Sequence, residues 1–205
     1  MRSALSNFPP MLLEGHTLDL DEPGWLFELK YDGYRMTARF GDGKCQLRTR
    51  NGADCTTWFP EVSKSLAAIK GGPYVTDGEV CVLDEFGRSD FDRLHDRARR
   101  RRWYEGADPV VYCIFGLLAE GNVIRINEPL HMRKSRLAMV LGSGALPPVL
   151  IVGHFETLGR KLLEEAVHQL NLEGLVAKRA NSPYRPGLRS SDWVKISRND
   201  VIAAD

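Results

Sequence analysis

"FELKYDGYRMTARF", residues 27–40, alternates apolar and charged side chains. Phe27, Leu29 and Tyr31 fall on one parity and Glu28, Lys30 and Asp32 on the other, which is the two-residue period of a strand. "GDGK" at 41–44 reads as a hairpin turn into a second strand over residues 45–50. An amine, a carboxylate and a guanidinium crowd into this segment as Lys30, Asp32 and Arg35, with Gly33 among them. Alternate residues of a strand share a face, so Lys30 and Asp32 are expected to line one cavity. Gly33 lets the backbone turn or approach a ligand closely. Arg35 offers a planar fork for hydroxyl or phosphate oxygens. A lysine in such company is a candidate nucleophile once neighbouring cations or a metal ease the loss of its proton. The plain alternative for this segment alone is a solvated, charged strand face.

Outward from there, "TWFPEVSKSLAAIKG" carries helical spacing through Val62, Leu66 and Ile69 and is stopped by Gly71, Gly72 and Pro73. "YVTDGEVCVLDEFGR" reads as a strand, a turn and a return, with Asp77-Gly78 as a turn beside Glu79. "DFDRLHDRARRRRWY" reads as a helix capped by Ser89 or Asp90. "PVVYCIFGLLAEG" is a buried strand, and "LGRKLLEEAVHQLN" a helix with Leu158, Leu162, Val167 and Leu170 on one side. "EGLVAKRA" and "DWVKIS" are short strands. Strands and helices mix without βαβ alternation, which predicts an α+β fold of antiparallel sheets flanked by helices.

The 205 residues suit one domain, and no composition break forces a second. A chain of this size needs no disulfide staples, and Cys45, Cys55, Cys81 and Cys113 lack zinc-like spacing, so they read as reduced thiols. The N-terminal "MRSALSNFPPML" has no sustained apolar run, and the longest apolar stretch, 110–119, is interrupted by Gly116 and too short to span a bilayer. The expectation is a cytoplasmic chain with no membrane partner. A formal net charge of +1 says nothing about nucleic acid, but Arg97, Arg99, Arg100, Arg101 and Arg102 lie almost side by side.

"KYDGYR" (30–35), "RTRNG" (48–52), "DGEV" (77–80), "YCIFGLL" (112–118), "EGLVAKR" (173–179) and "DWVKI" (192–196) occur in that order. Together they resemble the ordered motifs of the ATP-dependent DNA ligases, within the covalent nucleotidyltransferases that include RNA ligases and mRNA capping enzymes. The flanks "PPML" and "SPYRPGLRSSDWVKI" look most like the ligase domain of bacterial end-joining ligases. The resemblance implies the DNA ligase/mRNA capping enzyme nucleotidyltransferase fold and a bacterial, nucleoid-associated protein of DNA repair. It implies that Lys30 attacks the α-phosphate of ATP and carries AMP, with Asp32, Lys178 and Lys195 as catalytic companions.

By the same resemblance, Glu28 would accept a hydrogen bond from the adenine amino group and Phe115 would stack on the base. Arg35 and Glu79 would hold the ribose, and Lys178 and Lys195 would neutralise the α-phosphate. Arg50 would grip the 5′-phosphate of nicked or broken double-stranded DNA. Glu173, with Glu79, would hold Mg²⁺ or Mn²⁺. The arginine run 97–102 would meet backbone phosphates, whereas the five histidines match nothing in this chemistry. An RNA ligase or capping-type nucleotidyltransferase is one alternative. A non-catalytic DNA-end binding module with a degenerate site is another.

The chain departs from the motif pattern at Gly116, where an Asp is usual, and at Ser197, where a second Lys is usual. The lost positive charge is expected to weaken adenylation. Ten residues follow Lys195, too few for a five-stranded OB-fold barrel. The expectation is therefore a single adenylation domain over 1–205 without an OB-fold domain, with that function or end-joining proteins supplied in trans.

Overall fold

Residues 27–40 do not form one strand. The chain leaves one sheet after Leu29, crosses through residues 30–33, and joins a second sheet at Tyr34. This computed structural model describes residues 8–142 and 147–198. The start of the N-terminal segment and the last residues after Arg198, on which two of the expectations above bear, lie outside the described residues.

In chain order the elements are β1 (Leu12–Glu14), β2 (Trp25–Leu29), β3 (Tyr34–Gly41), β4 (Lys44–Thr49), α1 (Pro60–Ala67) and β5 (Tyr74–Cys81). Then come α2 (Phe91–Arg99), β6 (Val111–Glu120), β7 (Val123–Ile124), α3 (Leu130–Leu141) and β8 (Val149–Ile151). A short α4 (Gly159–Lys161) runs on as a π-helical segment (Leu162–His168), followed by β9 (Gly174–Arg179) and β10 (Arg189–Ser197). The first sheet has the order β1-β10-β9-β2, the second β4-β3-β5-β6-β7, with β8 also on β6. Most pairs are antiparallel as expected, but β1 on β10 and β8 on β6 are parallel.

Three apolar clusters follow from this layering. One face of the larger sheet buries Met36, Phe40, Tyr112 and Ile114 against Val62 and Leu66 of α1, Leu94 of α2 and Leu137 of α3. A second cluster joins Phe115 of that sheet to Trp193, Tyr184 and Met11. The third packs the outer face of the smaller sheet, Phe27, Leu175 and Val194, on Leu163 and Val167 of the π-helical segment. Both faces of β2 are thus covered, and the alternation read as inside against outside is a division between two interiors.

Two further corrections have physical causes. Asp77 and Gly78 lie inside β5 and make no turn, because β6 runs directly over Gly78. A Cβ there would stand 2.6 Å from both the Cys113 carbonyl and the Tyr112 ring. The turn comes later, where Asp84 accepts backbone hydrogen bonds from Phe86 and Arg88. Helix α2 stops at Arg99 because Arg101 takes a left-handed φ of 52°, and Asp90 rather than Ser89 is its cap, accepting from the Arg93 N–H at 3.0 Å. Helix α3 was not expected at all.

The crossing at residues 30–33 is itself a packing constraint. A Cβ on Gly33 would lie 2.2 Å from the Val80 carbonyl oxygen and 2.8 Å from Cys81 Sγ. Gly33→Ala is expected to destabilise the domain by about 3 kcal/mol in urea unfolding. Gly15→Ala, at a position with open space around it, is expected to change stability far less.

Candidate active site

The crossing strand-link is held by its own backbone. The Lys30 N–H donates to the Gly174 carbonyl at 3.0 Å, the Asp32 N–H to Ser89 Oγ at 2.9 Å and the Gly33 N–H to Glu79 Oε1 at 3.2 Å. Lys30 Nζ ion-pairs with Glu173 Oε1. Lys30 stands where two cavities meet. A cleft of about 260 Å³ between the sheets is lined by Glu28, Lys30, Arg35, Arg50, Glu79, Phe115, Lys178 and Trp193 among others. A neighbouring opening of about 310 Å³ has Lys30, Asp32, Arg88, Ser89, Glu173 and Ser197 in its wall. Lys30 and Asp32 do share a cavity, but the sheet-to-sheet crossing brings them there, not strand alternation.

The inner wall of the cleft is a face of the smaller sheet. Register pairs Glu28 with Val176, Trp193 with Lys178 and Lys195 with Val176. Directly opposed residues share a face, so Glu28, Lys178, Trp193 and Lys195 all stand on the cleft side. Glu28 and Lys178 are each only 2% exposed. Glu28 Oε2 accepts from Lys178 Nζ at 2.6 Å, and Oε1 accepts from Lys134 Nζ of α3, also at 2.6 Å. Burial opposes the charge on Glu28, yet the two ammoniums hold its carboxyl below the ordinary range. Burial pulls Lys178 down to about 8 despite Glu28, and Lys134 adds to that as a like charge. The Lys178 ammonium lies 4.1 Å from the Phe115 ring centroid and 4.3 Å from that of Trp193.

The facing wall belongs to the larger sheet. Arg35 donates from Nε and Nη2 to the two oxygens of Asp77, both at 2.7 Å, and its guanidinium lies 4.5 Å from the Phe115 centroid. Tyr184 donates to Asp77 Oδ2 at 2.7 Å and accepts from the Met11 N–H at 2.9 Å. Burial works against the charge of Arg35, and Asp77 more than offsets it, raising the guanidinium above its ordinary value. The β5–β6 register shifts between Asp77 and Gly78, leaving Phe115 as the extra residue. Gly116 sits opposite Asp77, and a Cβ there would meet Asp77 Cβ at 3.8 Å. An acid at 116 would fit, but beside the carboxylate that already serves Arg35.

The remaining expected residues fall as follows. Arg50 is exposed at the cleft. Lys195 is exposed farther along the shared face. Burial pushes Glu79 up to about 7 against the pull of Arg35 and Lys30. The Glu28 carboxylate, expected to meet a base, is taken up by two lysines. Of the histidines, His95 pairs with the Tyr34 hydroxyl and His131 with the Ala180 carbonyl. For a metal, no group of three or more His, Cys, Asp or Glu side chains gathers among the described residues. Glu173 Oε2 is nevertheless buried without a hydrogen-bond partner, and Asp32 opens on the same cavity. Hard oxygens in that number suit Mg²⁺ or Mn²⁺ that keeps waters and shares phosphate oxygens.

A family model described as an ATP dependent DNA ligase domain matches residues 11–197. The chain belongs to the ATP-dependent DNA ligase domain family. Its sheets and helices are the nucleotidyltransferase fold of that family. The chain is 38% identical over 173 residues to a multifunctional non-homologous end joining protein LigD of Pseudomonas aeruginosa, covering 84% of this chain and 20% of that protein. It is 33% identical to a prophage-derived DNA ligase-like protein LigB of Bacillus subtilis, covering 93% of this chain and 67% of that one. The solved ligase domain of Mycobacterium tuberculosis LigD superposes with a TM-score of 0.79 at 26% identity, over 94% of this chain and 61% of that chain. A mycobacterial DNA ligase D complexed with ATP superposes with a TM-score of 0.77 at 27% identity, with the same two coverages.

Three contributors to this ligase-family site escaped the sequence reading. Asp77 was visible only as the first residue of "DGEV", Trp193 as a strand residue and Lys134 not at all. A signal for Lys134 existed, since Leu130, Arg133, Lys134 and Leu137 recur at helical spacing after Pro129. Asp77→Ala leaves the half-buried Arg35 guanidinium without its carboxylate beside Phe115 and Trp193. It is expected to cost about 3–5 kcal/mol of stability, and Tyr184→Phe about 1–2 kcal/mol, each read by denaturant unfolding.

Proposed function

We propose that this domain is the adenylation unit of an ATP-dependent DNA ligase of the bacterial end-joining type. The observation that carries the reading is Lys30, whose amine stands at the meeting of a nucleotide-sized cleft and a second, acid-lined opening. Lys30 Nζ attacks the α-phosphorus of ATP, and the bond to the β-phosphate oxygen breaks to release pyrophosphate. Glu173 Oε1, in contact with Nζ, is positioned to accept the proton the amine sheds. The product is a lysyl-AMP phosphoramide. A DNA 5′-phosphate oxygen then attacks the same phosphorus and Nζ leaves, after which a 3′-hydroxyl displaces AMP and closes the strand.

In this reading Phe115 and Trp193 supply the aromatic surface for the adenine, with Glu28 at the cleft's inner end. Arg35 and Glu79 face the ribose, and Lys178 and then Lys195 draw charge from the phosphate. Asp32 and Glu173 stand on the phosphate-exit side, where Glu173 would hold a divalent ion whose chemistry is to neutralise phosphate charge. Glu79, half protonated near neutral pH, is the weaker donor of the two proposed ligands. The lysine that Ser197 replaces is absent from the second opening, consistent with a slower first step. An OB-fold domain or end-joining proteins as partners, and a cytoplasmic, nucleoid-associated setting, belong to the same reading. Among the described residues no helix is long and apolar enough to cross a membrane.

The arginine run divides. Arg97 is buried, pairs with Glu61 at 3.0 Å and donates to the Trp58 and Arg102 carbonyls, so it builds the fold. Arg99, Arg100, Arg101 and Arg102 are exposed, and Trp103 beside them is 58% exposed. Helix α2 starts two residues after Ser89 of the second opening, so its far end carries these arginines roughly 13 Å away, within reach of the same DNA backbone.

Labelling with α-labelled ATP and Mg²⁺ or Mn²⁺, read on a denaturing gel, is expected to mark the chain and to leave Lys30→Ala blank. An unlabelled chain whose intact mass shows no AMP overturns the enzyme reading in favour of a DNA-end binding module. Arg100, Arg101 and Arg102 replaced together by Gln are expected to lower the log–log salt slope of nicked-duplex binding by about 3.

A further inference from the structure

Glu28, Lys134 and Lys178 place one negative and two positive charges in the interior, and none of the three is more than 6% exposed. Each carboxylate oxygen has its own ammonium at 2.6 Å. A carboxylate with a single lysine partner would cancel that lysine's charge. Two partners leave one positive charge over, and the two lysines are not equivalent. Lys134 reaches in from α3 and directs a second donor to the Val152 carbonyl at 3.2 Å. Lys178 lines the cleft, with the rings of Phe115 and Trp193 against its ammonium. The surplus charge is therefore presented at Lys178.

We propose that Lys134 is a positioning residue: by holding Glu28 it leaves Lys178 with an uncompensated ammonium for the phosphate that adjoins the nucleoside of the bound ligand. This rests on the cleft being a nucleotide site, and it adds a role that the cleft lining alone does not contain. A mere clamp joining α3 to the sheet would act on ligands with and without phosphate alike. A positioning charge acts on the phosphate only.

The groups facing Lys178 are Glu28 from β2, Lys134 from α3, Arg35 from β3 and His154 after β8. Arg35 is cancelled by Asp77. His154 is held neutral near pH 8, its proton affinity lowered by burial and then by Lys134. Lys178 binds a phosphate while protonated, so the phosphate's contribution fades as pH rises through about 8. Removing the like charge of Lys134 raises the proton affinity of Lys178 and carries that fading to higher pH, even as the net charge of the cluster drops to zero.

The test uses the full chain, stripped of any bound AMP by pyrophosphate, and calorimetric titration with AMP and with adenosine from pH 7 to 9. In Lys134→Met the advantage of AMP over adenosine is expected to shrink about tenfold, the scale of one charge-assisted hydrogen bond. What remains of it should persist to higher pH than in the unaltered chain. Lys134→Arg should restore the advantage. Lys134→Arg, which keeps a cation on Glu28, also keeps the test open if Lys134→Met folds poorly. Equal losses for AMP and adenosine in Lys134→Met, or no recovery in Lys134→Arg, overturn the role of Lys134. An unaltered chain that binds AMP no better than adenosine instead removes the nucleotide-site reading beneath it.

Discussion

The close approach of Gly33 to the Val80 carbonyl is the constraint on which the site depends. Two sheets must exchange a strand's continuation within four residues, and the exchange is possible only where a backbone can pass another with no side chain between them. Because the link is short, its backbone donors are tied to both sides: Lys30 to Gly174 on one sheet, Gly33 to Glu79 on the other. The amine of Lys30 is thereby held at the seam, and the cleft between the sheets opens beside it.

What surrounds that seam is an electrostatic arrangement that water would dissolve. On one wall a carboxylate is shared by two ammoniums; on the other a guanidinium is clasped by Asp77, with Tyr184 fixing the second oxygen. Buried charges of this kind are costly to assemble and add little net stability. Their value lies in orientation, since Arg35 and Lys178, one from each wall, face the same aromatic surface of Phe115 and Trp193. The cleft therefore offers stacking surface and positive charge together, a combination suited to a nucleotide.

The strands were legible because period-two alternation and flanking turn residues are local signals, and the helices α1 and α2 because their apolar faces recur at helical spacing. The division of residues 27–40 between two sheets was not legible. Alternation reports that two faces differ, not whether the polar-looking face is solvent or a second interior. Asp77-Gly78 misled for a similar reason: the pair is a turn signal in isolation, but a glycine also serves where a neighbouring strand passes too close for a Cβ. The arginine run shows the same limit, since Arg97 differs from its neighbours only in facing Glu61 and the Phe59 ring.

The sequence by itself determined the mixed α+β character, the ordered motifs and hence the ligase family, and the identity of the lysine and acids that reach the seam. Those are properties of short stretches, each carrying its own signal. Only the tertiary structure decided how charges separated by many residues are paired. Glu28 meets Lys134 and Lys178 across separations of 106 and 150 residues, and Arg35 meets Asp77 across 42. No local pattern encodes such pairings, because they are selected by which side chains the packed sheets and α3 exclude from water together.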